Sequence, residues 1–177
     1  QGTQLFAGGT YLVASKIAAI HTLLDINHLL HDKVEVMESE YLIGSACTLQ
    51  SMMAGVDDSL AASILASCPS KNIRNQRTLG GEIAQKRSDS DLLVHLYAAG
   101  ARIDVEGLDN PTPIEQWSGE GIITQVHIPR KPVQTERVSV LDSAAAFVLV
   151  AVAENAKEVT LSIGGKAKQF LVTKTSP

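Results

Sequence analysis

No Cys-x-x-Cys pair occurs in this chain. Its two cysteines, Cys47 and Cys68, stand far apart, which argues against a zinc or iron–sulfur site within it. Cys47 falls in an apolar strand-like run and Cys68 near a helix end, where a free thiol serves as a small hydrophobe. Reduced, cytoplasmic thiols are the expectation. Histidines 21, 28, 31, 95 and 127 show no metal-ligand spacing and no nucleophile arrangement with serine or cysteine, so hydrolytic chemistry has little support. His28 and His31, at i and i+3, read as an exposed polar face. The longest apolar run, residues 144–153, is about half of the roughly 20 residues a membrane helix needs, and no charged-then-apolar leader opens the chain. With a formal net charge of −4 and interspersed signs, there is no basic stripe for a nucleic-acid backbone. Lys71, Arg74 and Arg77 are a local exception, read either as a solvated loop or as an attractor for a dinucleotide or a partner surface.

What the chain does have is core-forming material and two glycine turns. An apolar content of 45% over 177 residues is enough for one large domain or two small ones. Phe6-Ala-Gly-Gly-Thr10 and Ile73-Arg-Asn-Gln-Arg-Thr-Leu-Gly-Gly-Glu-Ile-Ala84 each pair a double glycine with a threonine hydroxyl. Glycine lets the main chain approach a ligand and take positive φ, and successive exposed amides make a concave anion site. A diphosphate is the natural guest.

The pattern predicts strands at Leu5–Ala7, His21–Ile26, Tyr41–Ala46, Arg102–Glu106 and Ile122–Ile128, with a mixed segment over Tyr11–Ile20. Helices are expected from Thr48 through Met53, over Leu60–Ser67, and over Asp89–Ala99 before Gly100 as C′ residue. Ser88 and Asp91 make an S-x-x-D capping signature, and Thr112-Pro113 reads as a helix start. Residues 68–82 lack periodicity and read as a long functional loop. From about Val138 small and β-branched residues take over, reading as strands over Ala144–Val152 and Val159–Ile163.

The two loops with their flanks resemble the FAD-binding domain of the molybdenum hydroxylases, the flavoprotein subunits or domains of xanthine dehydrogenase, carbon monoxide dehydrogenase and related enzymes. There the flavin loops read roughly AGGTDL and IRNxATLGGNIA; here they read AGGTYL and IRNQRTLGGEIA. Leu24-Asp-Ile26, Leu42–Leu49, Ser90-Asp-Leu92, Ala98–Ile103 and Glu120–Pro129 continue the similarity, which covers about residues 5 to 165. The resemblance implies an α+β fold: a mixed α/β FAD-binding region over 1–132 and a partial strand-rich unit over 133–177, similar to the opening of the family's C-terminal domain.

By resemblance, Ala7, Gly8, Gly9 and Thr10 wrap the FAD diphosphate, while Thr78 and the amides of Leu79, Gly80 and Gly81 complete the phosphate and ribitol cradle. Arg74 and Asn75 brace the second loop. Ser90 and Asp91 match positions near the ribose or pyrophosphate, although Asp91 is equally a capping residue. The flavin carries the redox chemistry, so no catalytic acid–base pair and no metal ligand is expected of the chain itself. The implied partners are a molybdopterin-binding subunit that oxidises the substrate and a 2Fe-2S subunit that relays electrons, with NAD⁺ as one possible acceptor. Tyr11 and Glu82 replace the family's aspartate and asparagine, Lys86-Arg87-Ser88 replace a small-residue segment, and only Gln1–Gln4 precede the first strand where the family supplies a strand and helix. Weakly held FAD is therefore expected, with Arg87 as a compensating charge for Glu82. Two other readings stay open: an assembly module that keeps the fold without flavin, and a binding domain for another phosphate-bearing ligand.

Overall fold

The structure, a computed structural model, describes residues 2–15, 20–141, 144–166 and 170–176. In chain order the first elements are β1 (Thr3–Phe6), α1 (Thr10–Ser15), β2 (Thr22–Asp25), β3 (Val34–Val36) and β4 (Glu40–Gly44). Next come α2 (Leu49–Met52), α3 (Asp58–Ser67), α4 (Lys71–Arg74), α5 (Leu79–Gln85) and α6 (Asp91–Ala99). The strands β5 (Arg102–Val105), β6 (Thr112–Pro113), β7 (Ile123–Pro129), β8 (Val133–Val138), β9 (Val148–Glu154), β10 (Val159–Gly164) and β11 (Leu171–Thr175) complete it.

The strands form three sheets. β1 and β2 pair in parallel, a five-stranded antiparallel sheet runs β3-β4-β7-β5-β6, and a four-stranded antiparallel sheet runs β11-β10-β9-β8. Helix α6 packs against β8, β9 and β10 as well as β7 and α3. Every residue of α6 is buried, and apart from Asp91 and His95, each of which has a polar partner, its composition is correspondingly apolar. Ile43, Ile103 and Val126 from the five-stranded sheet, Leu92 and Leu96 from α6, and Leu149 and Ala151 from the four-stranded sheet belong to one buried cluster. The fold is thus mixed helix and sheet with a strand-rich C-terminal portion.

Local chemistry explains where the elements start. Thr48, Asp57, Thr78 and Ser90 each accept a backbone N–H with the side-chain oxygen, capping α2, α3, α5 and α6, and Gly100 ends α6 at φ 71°.

Several sequence expectations are corrected. Residues 68–82 are not an irregular loop, because α4 and the start of α5 lie within them. These helices span only one or two turns, too short to display a 3.6-residue period, and tertiary burial of Leu79 and Ile83 holds α5 in place. The cap of α6 is Ser90 and not Ser88, whose hydroxyl donates to the Gly165 carbonyl at 2.9 Å and so ties the turn to the C-terminal sheet. Thr112-Pro113 is a short strand followed by a 3-10 turn over Ile114–Gln116, not an α-helix. Strand β9 begins at Val148, four residues after the expected start, and β3, β8 and β11 carried no strand expectation. Of the mixed segment Tyr11–Ile20, residues 16–19 lie outside the described residues.

Candidate cofactor site

The two glycine turns meet. After β1 the chain turns through Gly8 and Gly9, the latter at φ +68°, into α1. The second turn is fixed to the core from beneath. Leu49 N–H donates to the Arg77 carbonyl, Leu79 N–H to Cys47 and Gly80 N–H to Ser45, each at 2.9 Å. The first turn lies directly on this platform: a Cβ on Gly8 would stand 1.7 Å from the Gln76 carbonyl oxygen. Arg77 Nε also donates to Thr10 Oγ1 at 3.4 Å. Between the turns opens a cavity of about 420 Å³, walled further by Ser45, Glu82, Arg87, Trp117 and Ile123.

The four glycines differ in what surrounds them. Gly8 is small so that backbone can pack on the Gln76 carbonyl, and Gly80 so that it can pack on Ser45, whose Cβ an added Cβ would meet at 2.8 Å and whose carbonyl oxygen it would meet at 3.1 Å. Only Gly9 has positive φ among the four motif glycines. Gly81 is helical, and an added Cβ there would meet nothing within 4 Å except Thr78 Oγ1 at 2.8 Å. Its missing side chain opens onto the cavity.

The amides divide the same way. In the second turn Leu79 and Gly80 donate to main-chain carbonyls, and Gly81 donates to its own N-cap, Thr78 Oγ1, at 3.2 Å. These donors hold the fold together and are occupied. Among the described residues, nothing accepts from the amides of Gly8, Gly9 or Thr10. Consecutive free amides therefore lie on the first turn, the expected state of the residues entering a helix.

The charges at the site come from side chains. Glu82, 2% exposed, stands 3.3 Å from Arg77 and 3.4 Å from Arg87 and accepts the Ser90 hydroxyl at 2.7 Å. A buried carboxylate is tolerated only when paired and hydrogen-bonded, and Glu82 has all three partners. Arg87 was the expected compensating charge; Arg77 is a second one that sequence reading did not connect with Glu82. Arg77 and Arg87 also line the cavity. Burial pushes the nearby Cys68 thiol above its ordinary range, with Arg77 opposing the shift, and burial lifts Cys47 to about 11. Both thiols are kept neutral and unreactive.

Of the residues singled out from sequence, Ala7, Gly8, Gly9, Thr10, Thr78, Gly80 and Gly81 line this cavity. Leu79 is fully buried beneath it. Arg74 braces the segment from below, donating to the Cys68 and Pro69 carbonyls at 2.8 Å each and to Gln50 at 3.1 Å. Its charge thus sits at the C-terminal end of α3, where carbonyls lack helical partners. Asn75 is exposed at the C-cap of α4. Ser90 reaches the site only through Glu82, and Asp91 turns away to pair with Arg137 of β8 at 3.2 Å. The Trp117–Ile123 wall carried no site expectation. Lys86, in the left-handed region at φ 46°, secures it by donating to the Trp117 carbonyl, with its ammonium 4.9 Å from the indole ring centroid. Cation–π pairs leave no spacing signature in a sequence.

The family model described as the FAD binding domain in molybdopterin dehydrogenase matches residues 1–131. The chain belongs to this family. Its fold is similar to that of CO dehydrogenase from Oligotropha carboxidovorans, with a TM-score of 0.76 at 18% identity over 97% of this chain and 70% of that one. The CO dehydrogenase of Hydrogenophaga pseudoflava gives 0.74 at 17% identity, with the same coverage. Quinoline 2-oxidoreductase from Pseudomonas putida 86 gives 0.71 at 14%, over 97% and 69% of the two chains. None of the curated proteins matches. The residues present suit the family's cofactor. Unpartnered amides and two guanidiniums face the space where an anionic linker would sit, and Leu5, Leu12, Ile26 and Ile122 supply apolar walls for ring systems. Among the described residues no group of His, Cys, Asp and Glu could hold a metal ion, and no helix is long and apolar enough to cross a membrane.

Proposed function

We propose that this chain is the flavin-carrying part of a molybdenum hydroxylase-type oxidoreductase, acting as an electron relay in the cytoplasm. FAD, when bound, supplies the redox chemistry: it takes electrons from a 2Fe-2S subunit and passes them to an acceptor such as NAD⁺, while a molybdopterin-binding subunit oxidises the substrate. The observation that carries this reading is the convergence of both glycine turns on one cleft bearing free amides and cationic side chains. The chain's own part is to bind, orient and shield. The amides of Gly8, Gly9 and Thr10, with the Thr10 hydroxyl, hold the diphosphate. Gly81 leaves room for it, and the apolar walls exclude water from the rings. Arg74 and Asn75 serve the second turn, Ser90 acts from behind the cleft through Glu82, and Asp91 ties α6 to β8 through Arg137. On this reading residues 1–132 form the FAD-binding region and 133–177 open a second, strand-rich unit.

The test is reconstitution. The protein is incubated with FAD, desalted and scanned for flavin absorbance, then titrated with FAD while flavin fluorescence is followed. Saturable binding with a changed flavin spectrum supports the reading. Binding of ADP without FAD would favour a domain for another phosphate-bearing ligand, and binding of neither would favour the assembly module. Co-purification of a molybdopterin and a 2Fe-2S chain from the native host tests the partners.

A further inference from the structure

Arg77, Glu82 and Arg87 form a set in which one buried carboxylate holds two guanidiniums at the wall of the cavity. We propose that Arg77 and Arg87 recognise the phosphate-bearing segment of the ligand, and that Glu82 is a positioning residue that aims them. This rests on the dinucleotide reading above and adds which groups discriminate. Three observations lead to it. First, the Leu79, Gly80 and Gly81 amides of the second turn are engaged by Cys47, Ser45 and Thr78, so these three donors are not available to an anion and side chains must supply more of the recognition there. Second, two guanidiniums against one carboxylate leave the wall net positive; Asp89 approaches Arg87 only at 4.0 Å and does not line the cavity. Third, Glu82 is anchored. Its Oε1 accepts from Ser90, whose own oxygen caps α6 by accepting from Leu93 N–H at 3.2 Å and lies 3.0 Å from Ser67 Oγ. A guanidinium tethered in this way loses less rotamer freedom when an anion arrives, which is the benefit of preorganisation. The family's pattern has alanine and asparagine at positions 77 and 82, so this charge set belongs to this chain and not to the shared motif.

The experiment measures dissociation constants of FAD, ADP and riboflavin for the parent protein and for R77Q, R87Q and E82Q at low and physiological salt. A charge-assisted hydrogen bond to phosphate carries roughly ten- to hundredfold in affinity, so R77Q and R87Q each weaken FAD and ADP by a factor in that range. Riboflavin, which has no phosphate, binds them as it binds the parent. E82Q weakens ADP although it makes the wall more positive; tighter ADP binding by E82Q would overturn the positioning role. The triple variant R77Q/E82Q/R87Q leaves no unpaired buried charge, and its thermal melt reports that it folds. It is expected to lose both the preference for ADP and the salt dependence of binding. A parent that binds FAD, with arginine variants that bind FAD and ADP equally well, overturns this inference alone. A parent that binds none of the three probes overturns the flavin reading and this inference with it.

Discussion

Replacing Gly8 by alanine places a methyl 1.7 Å from the Gln76 carbonyl oxygen and 2.8 Å from its carbon. Real Cβ contacts essentially never fall below 3.0 Å, so one backbone must retreat by about 1.3 Å against a steep repulsive wall. The second turn will not move, because it is tied to Ser45, Cys47 and Leu49 through three main-chain bonds. The first turn will. β1, α1 and β2 contain no buried residue, so little core packing resists their displacement. The Arg77 to Thr10 contact, already 3.4 Å, is then lost, and the free amides shift relative to the guanidiniums. Loss of one charge-assisted hydrogen bond is worth about 1.5–3 kcal/mol, which corresponds to a roughly ten- to hundredfold weaker FAD complex. Fluorescence titration of the G8A protein measures that loss, and thermal unfolding of the apoprotein is expected to change by only a few degrees. FAD affinity within about threefold of the parent would refute the account of how the turns dock.

Other outcomes follow from single residues. Gly81→Val projects a branched side chain into the cavity and against Thr78 Oγ1; flavin binding should be abolished with the far-UV circular dichroism unchanged, and a G81V protein carrying the parent's flavin content would contradict this. Thr78→Ala removes the α5 cap and should lower stability by about 1 kcal/mol in urea unfolding; no loss would mean the cap is dispensable. His95 is buried beside Ser63, and burial lowers its pKa to about 4. The unfolded chain therefore binds the extra proton first, and the stability this neutral imidazole contributes is present above pH 6.5 and lost as pH falls from there through about 4. The H95Q protein should show a flatter stability profile over that window than the parent, by a difference of about 3 kcal/mol; parallel profiles would show that His95 does not titrate in this way.

Much of this was legible in the sequence because it was encoded locally. Thr48 as a cap, Gly100 as a helix end and the alternation in Arg102–Val105 each act within a few residues, and each appears where expected. Tertiary choices were not legible. Ser88 and Ser90 are equivalent as capping residues in a sequence, and only the Gly165 carbonyl that claims Ser88 separates them. α5 needs Leu79 and Ile83 to be buried before it becomes a helix. Strand β8 alternates poorly, with a single buried residue, Val133, so its pairing with β9 had no periodic signal to announce it. At the site, the two glycine turns were visible as motifs, whereas the Trp117–Ile123 wall depends on Lys86 spanning 31 residues to the Trp117 carbonyl.

Glu82 has one meaning as a motif position and another as a side chain in the fold. On the sequence alone it is an anion beside a diphosphate site, a Coulomb cost that argues for weak binding. In the fold it is a 2% exposed part of the cavity wall, with Arg77 and Arg87 within 3.4 Å. Two cations offset its charge, and they are held in place by the same carboxylate that looked unfavourable. The glycines have a second task besides. Gly8 and Gly80, which read as points of close ligand approach, are also where the chain packs tightly on Gln76 and Ser45. If backbone contact between the turns sets the shape of the cleft, and anchored guanidiniums set its charge, the two properties can change independently: a substitution at Gly8 alters the fit of every ligand alike, whereas one at Arg77 alters only ligands that carry phosphate.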